Sequence, residues 1–113
     1  MIHTLPPEGP PLTAATATDV IGGTWGTGAE WVVVPVSRLD PEFFRLSSGV
    51  AGEITQKFAN YRLKLAVVGD IEEHLARSAP LRDLVREANA GSQLWFAATE
   101  AEFTARLRGA TRR

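Results

Sequence analysis

Two serines and a glycine, Ser47, Ser48 and Gly49, stand directly before a helical pattern and are the first residues whose types could do chemistry. The simpler interpretation is that one serine is the N-cap of the helix, since a serine oxygen there accepts an orphan backbone N–H. The functional interpretation is a phosphorylatable or anion-binding helix start, because free N–H groups and the helix dipole favour negative charge. Capping is the more common role of the two.

A polar set follows on the same helical pattern, off its apolar stripe: Glu53, Gln56, Lys57, Asn60 and Tyr61. Glu53 and Lys57 are spaced i, i+4 in the favourable orientation, which is worth about 0.2–0.5 kcal/mol. The simpler interpretation is an ordinary solvated face. The alternative is a recognition surface, because Gln56, Asn60 and Tyr61 can hold a partner by hydrogen bonds.

Charged residues farther along the chain offer two more candidates. Asp70 follows a strand pattern, where α/β sheets place functional carboxylates, although a helix cap explains it as well. Asp83 and Glu87 are like charges at i, i+4, and Arg86 can relieve their repulsion. Together with Arg82 they form either a recognition surface or the more common exposed ion pairs.

The sequence contains no complete set of catalytic groups. Asp70 and His74 share a helical face, but two groups make neither a metal site nor a triad. The absence of cysteine excludes disulfides, thiolate metal sites and a cysteine nucleophile. The glycines at 22–28 do not follow a strand with GxGxxG spacing, so they predict no dinucleotide site. We therefore assign no catalytic residue, metal or cofactor.

The composition narrows the function further. The 113 residues are 44% apolar and suit one domain, with a proline-rich segment over 1–13 and a frayed basic tail over 109–113. With a net charge of −1, the domain as a whole has no strong electrostatic attraction for nucleic acid or anionic lipid. No stretch approaches the roughly 18 apolar residues of a membrane helix, and no signal-peptide pattern opens the chain. We expect a cytoplasmic domain with no nucleic-acid or membrane partner.

Three apolar runs predict the strands that must position these groups: 31–36, 63–69 and 93–98. Continuous β-branched runs are typical of strands buried on both faces of a parallel sheet, with Pro35 near a strand end. Residues 2–5 could add a short strand. Alternation with helical patterns predicts a small α/β domain with a mostly parallel sheet and right-handed crossovers.

Helical patterns fill the segments between the strands. Ala14, Ala17, Ile21 and Trp25 form one apolar stripe, with Thr13 as its cap. Helices or turns are also predicted at 41–44, at 50–61, from a capping box at 70–73 to 77, at 78–89 and after a second capping box at 99–102. Ligands of such sheets bind at the carboxyl ends of the strands.

The segment FFRLSSGVAGEITQKFANYRLKLAVVGD at 43–70 resembles a bacterial family called domain of unknown function 4180. The likeness covers about residues 13–107. Because that family has no established chemistry, the resemblance implies a fold and little else. Its members usually have another strand or two before the proline-rich turn.

The order of strands, helices and the Ser-Ser-Gly turn is also similar to the STAS domain, an anti-sigma-factor antagonist module. In that family an Asp-Ser-Ser-Gly turn opens the helix after a central strand, and a partner kinase phosphorylates its serine. Ser47, Ser48 and Gly49 match three of the four positions, and Leu46 stands where the aspartate would be.

Two hypotheses of function follow. The first is a non-catalytic STAS-like module that binds a protein partner, with regulation at Ser47 or Ser48. The alternative is a small-molecule or anion-binding domain, or an enzyme, with a polar site between Ser48, Glu53, Lys57, Asn60 and Asp70. A homodimer through the sheet edge or the Phe43-Phe44 turn is compatible with either.

Overall fold

A computed structural model describes residues 2–111 and contains one four-stranded sheet. Its strands are β1 (Ile2–Thr4), β2 (Trp31–Pro35), β3 (Lys64–Val68) and β4 (Leu94–Ala97). They lie in the order β1-β2-β3-β4, and each neighbouring pair is parallel. The predicted α/β class, with three long strands and a short N-terminal one, is confirmed.

Both faces of the sheet are covered, which explains why its strands read as unbroken apolar runs. The larger core cluster takes one face, including Val32, Val34 and Leu65. The smaller cluster takes the other face, around Trp31 and Trp95. Alternate residues of a strand point to opposite faces, so β2, β3 and β4 each contribute to both clusters.

Five helices surround the sheet: α1 (Ala17–Gly23), α2 (Val50–Asn60), α3 (Glu72–Arg77), α4 (Ala79–Ala90) and α5 (Glu100–Thr111). Three short 3₁₀ turns lie between β2 and α2, at Val36–Arg38, Pro41–Phe44 and Leu46–Ser48.

The helices divide unequally between the two faces of the sheet. Helices α1, α2 and α4 contribute to the larger core, and α5 covers the opposite face with Phe103 and Leu107. No helix within residues 2–111 is long and apolar enough to cross a membrane. The last two residues of the predicted basic tail, 112–113, lie outside the described residues.

The predicted extent of the first helix is wrong at both ends. Thr13 and Thr16 exchange backbone-to-hydroxyl hydrogen bonds of 2.8 and 3.1 Å, which hold a turn ahead of the helix. The helix therefore begins at Ala17, and it ends at Gly23, where glycine weakens helical propensity. Trp25 lies beyond that end and is 72% exposed, so it does not extend the inward stripe.

The proline-rich segment is tied to the turn after β2 by side chains, and Arg38 makes most of these bonds. Arg38 is only 8% exposed, and its guanidinium donates to the carbonyls of Pro6, Glu8 and Pro10 at 2.9–3.1 Å. Since an arginine offers five N–H donors in a fixed fork, it can satisfy several carbonyls of a segment that lacks backbone donors. The prolines thus form part of the fold.

One open edge of the sheet, that of β4, is partly covered by a side chain. The Asn89 carboxamide oxygen accepts the backbone N–H of Phe96 at 2.8 Å and so occupies a donor of the edge strand β4. Unpaired N–H groups on such an edge are a template for association with another chain. Phe43 and Phe44 are both buried, so a dimer through their turn would have no exposed aromatic ring to use.

Candidate functional site

A cleft of about 450 Å³ lies between the turns that follow β2 and the junction of α3 with α4. We call it the basic cleft. Its polar lining consists of Arg45, Ser47, His74, Arg77 and Ser78. Its apolar lining consists of Pro41, Phe44, Leu46 and Pro80.

The first wall of the basic cleft is fixed by local sequence. Asp40 accepts the N–H of Glu42 at 3.0 Å and caps the turn that Pro41 opens, as the sequence predicted. Phe43 and Phe44 then anchor the turn in the core, where their rings meet edge to face at 5.4 Å. This anchoring places Arg45 and Ser47 at the mouth of the cleft.

The second wall of the basic cleft is the break between two helices. Ser78 has an extended backbone between α3 and α4, and its hydroxyl accepts the N–H of Leu81 at 3.1 Å. The predicted helix start at 78–80 is therefore confirmed. Because the amino end of α4 lies in this wall, its partial positive charge adds to the potential of the cleft.

The charges of the basic cleft are all of one sign. Arg45 has a loose ion pair with Glu42, with 3.6 Å between Nη1 and Oε1. Arg77 forms no hydrogen bond or ion pair with any residue that the structure describes, and no acidic residue in that part of the chain lines the cleft. His74 stacks on Phe44 with ring centres 4.2 Å apart and planes 11° apart. The arrangement favours a negatively charged occupant.

The two predicted serines have different surroundings. The Ser48 hydroxyl lies 2.8 Å from the carbonyl of Glu42 and 2.7 Å from that of Arg45, and it accepts the Val50 N–H at 3.2 Å. Ser48 therefore holds the turn together. Ser47 is exposed, lines the basic cleft, and has no hydrogen-bond partner for its hydroxyl within residues 2–111.

Neither serine occupies the N-cap position that the sequence suggested. Gly49 is the N-cap residue of α2, with φ at +77°, and its carbonyl accepts the N–H of Glu53 at 3.0 Å. A left-handed backbone at this point favours glycine, because a side chain would clash there. The bond from Val50 to the Ser48 hydroxyl satisfies one helix-start donor from one residue farther back.

Asp70 lies in a second cleft, of about 490 Å³, at the carboxyl ends of β3 and β4. We call this the acidic cleft, since its charged lining residues are Asp70, Glu72 and Glu102. Its floor is apolar and includes Phe96 and Val85.

The capping box predicted for Asp70 is wrong in detail. The carboxylate accepts the N–H of Glu72 at 2.9 Å, and Ile71 is the N-cap residue of α3. Asp70 thus closes a tight turn ahead of the helix instead of capping it. His74 lines the other cleft, and no hydrogen bond joins it to Asp70 in the described residues.

The polar residues of α2 do not converge with Asp70 or Ser48. Lys57 donates from Nζ to the carbonyl of Ala14 at 2.8 Å, and Gln56 donates to Asn60 at 2.8 Å. Eleven residues of helix span about 16 Å, so the end of α2 lies far from its Ser-Ser-Gly entry. The structure therefore does not assemble the predicted pocket. Glu53 lines neither cleft.

Other predicted surface residues are spread over exposed positions. Tyr61 ends α2 and is 52% exposed. On α4, Asp83 pairs with Arg86 at 2.8 Å, with side chains 61% and 74% exposed. Arg82 donates to the carbonyl of Leu75, and Glu87 is exposed one turn beyond Asp83. These contacts fit the solvated-face interpretation of α4.

The two arginines of the basic cleft are not among the residues that the sequence singled out. Arg45 and Arg77 stand 32 positions apart, and neither belongs to a motif. No local spacing joins them, because only the packing of α3 and α4 against the turns after β2 brings them to one cleft. Their one sequence signal is position, since both follow strands at their carboxyl ends.

Fold and site together define a small α/β domain whose parallel sheet carries a basic and an acidic cleft beyond its carboxyl edge. A profile described as domain of unknown function (DUF4180) matches residues 2–107, so the chain belongs to that family. No curated protein and no solved structure matches the chain. The likeness to the STAS domain has no support from a structural neighbour.

Proposed function

We propose that this domain is a non-catalytic, STAS-like binding module of the bacterial cytoplasm that takes up an anionic group in the basic cleft. The group would be a carboxylate or phosphate, either on a small molecule or on a side chain of a protein partner. Under this proposal, both hypotheses of function concern the same site, the basic cleft. It also moves that site from the helix α2 to the turns after β2.

The observation that carries the proposal is the uncompensated charge of Arg77. A guanidinium that folding leaves without an internal acceptor keeps its donors available for a ligand. Arg45 adds a second cation, whose one carboxylate contact within residues 2–111 is loose at 3.6 Å. Charge-assisted hydrogen bonds to such groups are about twice as strong as neutral ones, so these side chains can hold an anion in a cleft that water also enters.

Ser47 supports the regulation that the sequence suggested. Its hydroxyl lines the same cleft as Arg45 and Arg77, and no intramolecular bond in the described residues occupies it. A phosphate on Ser47 would bring about −1.5 to −2 charges to these arginines and compete with the ligand. Modification of Ser48 would instead break the hydrogen bonds that hold the turn.

The test is a titration with inorganic phosphate, followed by backbone amide shifts in two-dimensional NMR spectra. We expect saturable shifts at Ser47, Arg77 and Ser78 with a Kd of about 1 mM, as suits a few exposed ionic contacts. Raising the salt to 1 M, where the Debye length is about 3 Å, should abolish them.

The matched variants are Arg77→Gln and Arg62→Gln, which change the net charge equally. Arg62 lies between α2 and β3, at the amino edge of the sheet and away from the cleft. The loss of one charge-assisted contact should weaken phosphate binding about five-fold in Arg77→Gln and leave Arg62→Gln unchanged. Equal weakening in both variants, or no saturable shift in the wild type, would refute an anion site in this cleft.

A further inference from the structure

The size and the apolar walls of the basic cleft indicate which part of a ligand could lie beside its charged group. A bare phosphate needs on the order of 100 Å³, taking four oxygen-sized volumes of about 30 Å³ each. The cleft holds about 450 Å³. A ligand that used only the arginines would leave most of that space to water.

The remaining lining of the cleft is apolar or aromatic. Pro41, Phe44, Leu46 and Pro80 line it, together with the His74 ring. Phe44 covers one face of that ring at 4.2 Å, with the planes only 11° apart, and Phe44 is itself buried. The core therefore fixes the plane of the imidazole, and a half-exposed aromatic ring with a fixed plane is a platform for stacking.

We propose that the ligand of the basic cleft is an aryl anion, in which a phosphate or carboxylate is carried on an aromatic ring. This inference rests on the proposed function, because the arginines must hold the charged group. The ring would extend the stack of Phe44 and His74 toward Pro41 and Pro80. The charged group would lie between Arg77 and Arg45, within reach of the Ser47 hydroxyl.

The ligand comparison that tests this inference uses phenyl phosphate against methyl phosphate. Both are monoesters of the same charge, and only one carries a ring. We expect phenyl phosphate to bind about five- to ten-fold more tightly, since one stacked pair contributes on that scale. Its protons should also shift upfield, through the ring currents of His74 and Phe44.

Two variants at one position separate stacking from charge. His74→Phe keeps a flat ring and His74→Leu does not, while both remove the imidazole nitrogens. The preference for phenyl phosphate should persist in His74→Phe and fall to within about two-fold in His74→Leu. Circular dichroism would show that both variants keep the wild-type helix content.

The outcomes distinguish this inference from the function on which it rests. Equal affinity for the two esters in the wild type overturns the aryl ligand and leaves the anion site standing. A preference that is the same in His74→Leu also overturns it, because the ring would then bind elsewhere. If neither ester nor inorganic phosphate binds, both proposals fall.

An aryl anion could reach the cleft as a small molecule or as the phosphotyrosine of a protein partner. A short phosphotyrosine peptide, titrated beside phenyl phosphate, separates these sources. A peptide that binds at least ten-fold more tightly assigns the ring to a partner protein. Equal affinities assign it to a small molecule, since the flanking peptide then makes no contact of consequence.

Discussion

Replacing Arg38 by glutamine should loosen the attachment of the proline-rich segment to the sheet and destabilise the whole domain. The Arg38 guanidinium donates to three main-chain carbonyls, those of Pro6, Glu8 and Pro10. It has no carboxylate partner in the described part of the chain, so these bonds are the reason for its burial. Glutamine offers one N–H₂ group and can replace at most part of the network.

The magnitude follows from those three bonds. A hydrogen bond from a charged donor contributes about 1.5–3 kcal/mol. The segment 6–11 is largely exposed, so water can satisfy its carbonyls once the arginine is gone. A discounted value of about 1 kcal/mol for each bond gives a loss of about 3 kcal/mol in the free energy of unfolding. That is a large share of the 5–15 kcal/mol expected for a domain of this kind.

Urea unfolding monitored by far-ultraviolet circular dichroism measures this loss. For a slope of about 1.5–3 kcal/mol per molar urea, the midpoint should fall by about 1–2 M. Arg86→Gln is the control, because its exposed ion pair with Asp83 should contribute less than about 1 kcal/mol. Arg38→Lys should fall between wild type and Arg38→Gln. A loss below about 0.5 kcal/mol in Arg38→Gln would refute the idea that this side chain holds the segment.

Two further predictions concern single hydrogen bonds. Asn89→Ala leaves the Phe96 N–H without its acceptor and should cost about 1–2 kcal/mol in thermal unfolding, whereas Asn89→Asp, which keeps an oxygen, should stay closer to wild type. The same alanine variant should associate through the exposed β4 edge in light scattering, and a monodisperse monomer would contradict that role. Ser48→Ala should lose about 1 kcal/mol of stability while Ser47→Ala loses almost none, because only Ser48 is bonded. Equal losses would contradict the division between them.

The strands could be predicted because a strand buried on both faces has an unbroken run of apolar residues. Trp31–Pro35 and Lys64–Val68 are apolar at nearly every position, and only a sheet covered on two sides tolerates that pattern. Pro35 ends β2 as its missing donor requires. A local helix cap could also be predicted. Thr99 accepts the N–H of Glu102 at 3.1 Å, as the spacing of the two residues indicated.

The basic cleft could not be predicted, because its residues are joined only by tertiary packing. Arginines are usually exposed, so nothing in the sequence separates Arg38, which is buried, from Arg77, which is exposed and lines the basic cleft. The polar residues of α2 suggested a shared site because they lie close together in the sequence. Gln56 and Asn60 share a helical face by spacing and bond each other, while Lys57 bonds the carbonyl of Ala14 ahead of α1.

Although the net charge of the chain is close to zero, the domain has two clefts of opposite charge. Helix α3 lies between them. This short helix carries Glu72 and Glu73 in its first turn and His74 and Arg77 in its last, the order that complements a helix dipole. The same order places Glu72 in the acidic cleft, and His74 and Arg77 in the basic one. In open parallel sheets the crevice at the strand ends is the usual ligand site. Under the function proposed above, the carboxylates of that crevice would disfavour an anion, and Arg77 at the other end of α3 would favour its binding in the basic cleft.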